Sequence, residues 1–141
     1  MDKLSSKEMK KLKGFLKKQD FIISAYMFGS CAKGTQGPLS DIDIAVSMDT
    51  KLGKREMDKK RLFLINKISG LIRTDKFDLV VMNNTTPLLR FNIIRDGMIL
   101  KDTPKRAGLE TRIISSHLDM KHFDDIYTNI SLKRIEDKGI L

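Results

Sequence analysis

The sequence predicts an α/β fold, a mixed sheet flanked by helices with a long C-terminal helix at its end. Two observations lead there. Apolar residues recur at helical spacing in some segments, whereas others are short apolar runs or strict alternations of the kind strands make. These segments interleave in the order α-β-β-α-β-α-β-α, without a repeat or a linker, as expected of helices layered on a sheet.

Each element has its own local signal. Ser5 and Glu8 form a capping-box pattern, and Met9, Leu12, Phe15 and Leu16 follow at helical spacing, giving a first helix to about Gln19. Phe21 to Phe28 is a short, aromatic-rich run that reads as a strand buried on both faces. KGTQGP, residues 33–38, is turn chemistry. From Asp41 to Met48 the chain alternates: Ile42, Ile44, Val46 and Met48 share one face, and Asp41, Asp43, Ala45 and Ser47 the other, a half-buried strand. It follows the previous strand too closely for a helical crossover, so an antiparallel or offset pair is expected. Residues 55–73 read as a helix with Met57, Leu64, Ile68 and Ile72 inward, and Phe77 to Met82 as a strand. Thr86-Pro87 opens a short helix that Gly97 ends, by the preference for proline at the start and glycine past the end. Met98 to Lys101 is a last strand. Pro104 introduces the long helix, whose Met120, Phe123, Tyr127 and Ile130 form one stripe that ends before Gly139.

The 141 residues suit one domain, with a catalytic core over about 20–102 and the C-terminal helix over about 104–137. A single cysteine, Cys31, excludes an internal disulfide and suits a reducing, cytoplasmic setting. No apolar run approaches the length of a membrane span, and the basic N-terminus has amphipathic rather than signal-peptide spacing. The net charge of +9 is spread over helix faces without interleaved aromatics, so direct nucleic-acid binding is not the favoured reading.

The chemistry lies between residues 26 and 46, "YMFGSCAKGTQGPLSDIDIAV". Asp41 and Asp43, two apart on a strand, face one space and would repel each other there. A hard divalent cation relieves that repulsion, and Mg²⁺ usually shares such carboxylates with substrate phosphates. In "KFDLVVMN" the alternation puts Asp78 opposite Phe77, Leu79 and Val81, so Asp78 joins the cluster if this strand neighbours that of Asp41; Asp75 is a weaker candidate. Three carboxylates around one or two Mg²⁺ ions suit phosphoryl or nucleotidyl transfer. Gly29-Ser30, directly after a strand, lets backbone N–H groups approach phosphate oxygens, and the serine hydroxyl adds a donor.

Gly29-Ser30, ten residues, then Asp41-Ile-Asp43 resembles the signature of the nucleotidyltransferase superfamily that includes DNA polymerase beta. "GSCAKGTQGPLSDIDIAV", "FDLVVMN" and "PLLRFNIIRDGMILKD" resemble, more narrowly, the minimal nucleotidyltransferases, stand-alone catalytic domains often encoded beside a helical HEPN partner. The resemblance implies the polymerase beta palm-like fold and an adenylyltransferase using ATP and Mg²⁺. It further implies an antitoxin that attaches AMP to a tyrosine of a HEPN ribonuclease toxin. Carried over by position, Gly29 and Ser30 would hold the triphosphate, Asp41 and Asp43 the metal, and Asp78 would be the third ligand and candidate base. Cys31 and Lys33 depart from residues frequent in such proteins, without removing a metal ligand.

Two other functions compete: a non-catalytic module that neutralises its partner by occlusion, and an enzyme acting on RNA ends or a small molecule. Arg112 and His117 match the R-x4-H spacing of HEPN ribonucleases, but that fold is all helical and the match reads as coincidence. His122 reads as solvated, Cys31 as inert, and Arg90 and Arg95 as surface charges.

Overall fold

The computed structural model describes residues 4–29, 42–73 and 76–117. They form α1 (Ser6–Lys17), β1 (Ile22–Phe28), β2 (Ile42–Met48), α2 (Lys54–Ile72), β3 (Phe77–Val81), a 3-10 turn (Met82–Asn84), α3 (Pro87–Asp96), β4 (Met98–Lys101) and α4 (Arg106–His117). The strands lie in the order β3-β2-β1-β4. β1 runs antiparallel to both β2 and β4, whereas β2 and β3 are parallel, as the 19-residue α2 between them allows.

The capping box at α1 is complete: the Glu8 N–H donates to Ser5 Oγ and the Ser5 N–H donates to Glu8 Oε1, both at 3.1 Å. α1 and α2 cover one face of the sheet, with Leu12, Leu16, Leu64 and Ile68 against Ile42, Ile44, Val46 and Leu79. α3 and α4 serve the other face, where Phe91, Ile94 and Ile114 meet Tyr26 and Ala45. Gly70, inside α2, would meet nothing with an added Cβ. Gly70→Ala is expected to stabilise the protein by roughly 0.5–1 kcal/mol, read as a rise in the denaturation midpoint.

Two sequence expectations need correction. β2 is not half-buried: Ala45 and Ser47, on the face expected to be solvated, are 0% and 3% exposed. Their small side chains let the second helical layer approach, and only Asp43, at the start of the strand, stays partly open. Gly97 does cap α3, but its φ of −76° is one any residue adopts. Glycine is needed because an added Cβ would run into the Ile93 carbonyl oxygen and press on Tyr26 Cβ at 3.3 Å. The stripe from Met120 to Ile130, and the expected C-terminal helix beyond His117, lie outside the described residues.

α4 is tied to the sheet by a polar cluster that is buried at Tyr26 and Glu110 and open at Asp102. The Tyr26 hydroxyl donates to Glu110 Oε2 at 2.8 Å, and Arg106 donates to the same oxygen at 3.0 Å and to Asp102 Oδ1 at 2.6 Å. Burial works against the Arg106 charge, but the bonds to Asp102 and Glu110 outweigh it and raise the guanidinium above its ordinary value. Tyr26→Phe removes one donor from the 2%-exposed Glu110 and is expected to cost about 1–2 kcal/mol, measured by chemical denaturation.

Candidate active site

The first residues of β2 and β3 and the residue after β1 meet at one end of the sheet. In the parallel pairing Asp43 stands directly beside Asp78, and across the antiparallel pairing it opposes Phe28, the last residue of β1. Adjacent strands lie about 4.8 Å apart and in-register residues share a face, so the two carboxylates project side by side. Asp78 is exposed, as β3 is an edge strand. These are the neighbouring strands that the expectation for Asp78 required.

Gly29 closes the third side. Its φ of +75° is the left-handed conformation that glycine adopts without cost, so the chain turns sharply as it leaves β1. The turn brings the Gly29 Cα against the Asp43 side chain. An added Cβ would overlap Asp43 Oδ2 and come within 3.3 Å of Cγ. The backbone therefore packs against the carboxylate with no room for any other residue. Ser30 and Asp41 lie outside the described residues.

The donors fit a hard cation. Asp43 and Asp78 offer only carboxylate oxygens, the ligands that Mg²⁺ prefers over nitrogen or sulfur. Among the described residues no three His, Cys, Asp or Glu side chains come together.

Arg61 was not singled out in the sequence. From α2 its Nε donates to the Leu79 carbonyl at 2.9 Å, and Nη2 lies 3.9 Å from Asp78 Oδ1. The bond occupies a carbonyl of the edge strand, and the cation lies beside the Asp78 carboxylate. At 39% and 59% side-chain exposure this is a weak surface pair, worth under about 1 kcal/mol. Only the spatial proximity of α2 and β3 reveals it.

The other side chains weighed in the sequence have structural roles. Arg90 is no free surface charge: its Nη1 donates to the carbonyls of Met82, at 3.3 Å, and Thr85, at 2.8 Å, holding the 3-10 turn. Arg95 pairs with Asp96 at 2.9 Å and lies over the Phe91 ring. His117 stacks on Phe91 with ring centroids 4.5 Å apart, a packing contact.

A family model described as "Polymerase beta, Nucleotidyltransferase" matches residues 10–106, most of the chain and all of this site. The chain belongs to that nucleotidyltransferase family. A curated relative, "Protein adenylyltransferase MntA" of Aphanizomenon flos-aquae, is 28% identical over 116 residues, 77% of each chain. Among solved structures, a toxin–antitoxin complex with AMP-PNP is similar at 25% identity and a TM-score of 0.60, over 94% of this chain and 98% of that one. A tri-AMPylated Shewanella oneidensis HEPN toxin in complex with MNT antitoxin gives a match at 22% identity and a TM-score of 0.56, over 95% and 97% of the two chains. The last likeness supports the nucleotidyltransferase fold, with its mixed sheet between helices. Among the described residues no helix of this nucleotidyltransferase is long and apolar enough to cross a membrane.

Proposed function

We propose that the protein is a Mg²⁺-dependent protein adenylyltransferase. It moves AMP from ATP to a hydroxyl, a tyrosine's, on a HEPN ribonuclease toxin and so acts as the antitoxin. The observation that carries this reading is the in-register pair Asp43 and Asp78 beside the positive-φ turn at Gly29. The relative named as a protein adenylyltransferase, and the similar complex holding an ATP analogue, support ATP and a protein acceptor.

The division of labour we assign rests on the motif residues and on the pairing of Asp43 with Asp78. Gly29, with Ser30 next to it, receives the triphosphate through backbone N–H groups and the serine hydroxyl. Asp41, Asp43 and Asp78 would hold Mg²⁺, which supplies charge neutralisation to the triphosphate and the departing pyrophosphate. The acceptor oxygen attacks the α-phosphorus, the bond from that phosphorus to the β-phosphate bridging oxygen breaks, and pyrophosphate leaves. The acceptor's proton passes to the carboxylate of Asp78, the exposed member of the pair and the one a partner's side chain can reach. Arg61, 3.9 Å from that carboxylate, adds a weak positive charge beside it.

Mixing the purified protein with a HEPN toxin, ATP and Mg²⁺ tests the assignment. The toxin is expected to gain mass in whole AMP units and to lose ribonuclease activity. Full inhibition with unchanged toxin mass would replace the assignment with neutralisation by occlusion.

A further inference from the structure

At the far end of the sheet from Asp43 lies a cavity of about 270 Å³, between the 3-10 turn, α3 and α4. Its floor is Ser47, four residues along β2 from Asp43 and so roughly 13 Å away. Met82, Leu109 and Ile113 form an apolar wall, and Arg90 and Arg112 stand at its sides. No acidic side chain lines it among the described residues.

The polar groups here have donors to spare. Ser47 is 3% exposed and lines the cavity. Directly across on β1, Ser24 pairs with Ser47, and its fully buried Oγ has no hydrogen-bond partner among the described residues. Buried hydroxyls are usually satisfied, and each one left bare costs on the order of 1–3 kcal/mol. Among the described residues Arg90 donates through Nη1 to two carbonyls, with no hydrogen bond from Nε or Nη2, and the exposed Arg112 has no hydrogen bond or ion pair there.

We infer that this cavity is a second, non-catalytic site for a phosphate group. Two guanidinium forks and a hydroxyl, with no carboxylate to compete, call for an acceptor with at least three oxygens, which a phosphate has and a carboxylate lacks. The apolar wall accommodates the body that carries the phosphate. That body belongs to a free nucleotide or to RNA, the chemistry of the phosphate being common to both.

The test is an amide NMR titration of the ¹⁵N-labelled protein in EDTA, with inorganic phosphate, AMP and a short RNA oligonucleotide in turn. Working without Mg²⁺ makes the result independent of transfer activity. Saturable shifts at Ser47, Asn83 and Arg112 are expected, with Kd raised about tenfold in Arg112→Gln, the loss of roughly one charge-assisted bond. Binding of AMP in preference to RNA assigns the site to free nucleotides. Tighter binding of RNA that falls steeply with salt assigns it to RNA. Absence of saturable shifts there with all three ligands, shifts confined to Gly29 and Asp43, or a Kd unchanged in Arg112→Gln would each overturn the inference.

Discussion

Asp43→Asn is expected to lower the rate of AMP transfer by on the order of a hundred- to a thousandfold while the protein still folds and binds its partner. Asparagine has nearly the shape of aspartate, so β2 keeps its register with β1 and β3. What is lost is one negative charge at the centre of the site, where Asp43 packs against the Gly29 turn and stands in register beside Asp78. Removing a single preorganised charged group from a reaction centre typically costs about 3–4 kcal/mol of transition-state stabilisation, the source of that range. Single-turnover kinetics with labelled ATP measure the rate, and a thermal midpoint within a few degrees of wild type confirms the fold. Equal rates in both proteins would remove Asp43 from the chemistry.

The second large effect is expected at Gly29, and it reaches the same carboxylate through the backbone. In Gly29→Ala the new methyl adopts the left-handed conformation at a cost of about 1–2 kcal/mol. It also overlaps the Asp43 carboxylate, which must move away or force the turn to open. Either response displaces the Asp43 carboxylate oxygens from the turn, so under the proposed assignment transfer is expected to fall about as far as in Asp43→Asn. Stability is expected to fall by roughly 1–3 kcal/mol as well, a loss Asp43→Asn does not share. Gly70→Ala is the internal control, the same change on an open helix face, with the opposite sign expected for stability. Denaturation midpoints and transfer rates of the three variants separate these effects.

What the sequence made legible was local. Ser5 and Glu8 are three residues apart and their capping box is complete, and the inward face of α2 follows from helical periodicity alone. Asp78 could be placed on the correct face of its strand because alternation has a period of two, but its pairing with Asp43 depended on the strand order. The residues that escaped are held by partners distant in the chain. Tyr26 finds Glu110 84 positions away, and Arg61 finds Leu79 18 positions away. Ala45 and Ser47 looked solvated because small and polar residues on an alternating strand resemble an exposed face. Only α3 and α4, folded back over them, show that the size of those side chains was the signal.

The most direct measurement follows which phosphate of ATP reaches the partner. Protein, partner and Mg²⁺ are incubated with ATP labelled on either the α- or the γ-phosphate, with Asp43→Asn as the control. Label on the partner from the α-position alone, and its absence in the variant, is the predicted result. Label transferred from the γ-position, or α-label on the partner undiminished in Asp43→Asn, would contradict the proposed adenylyl transfer at this site.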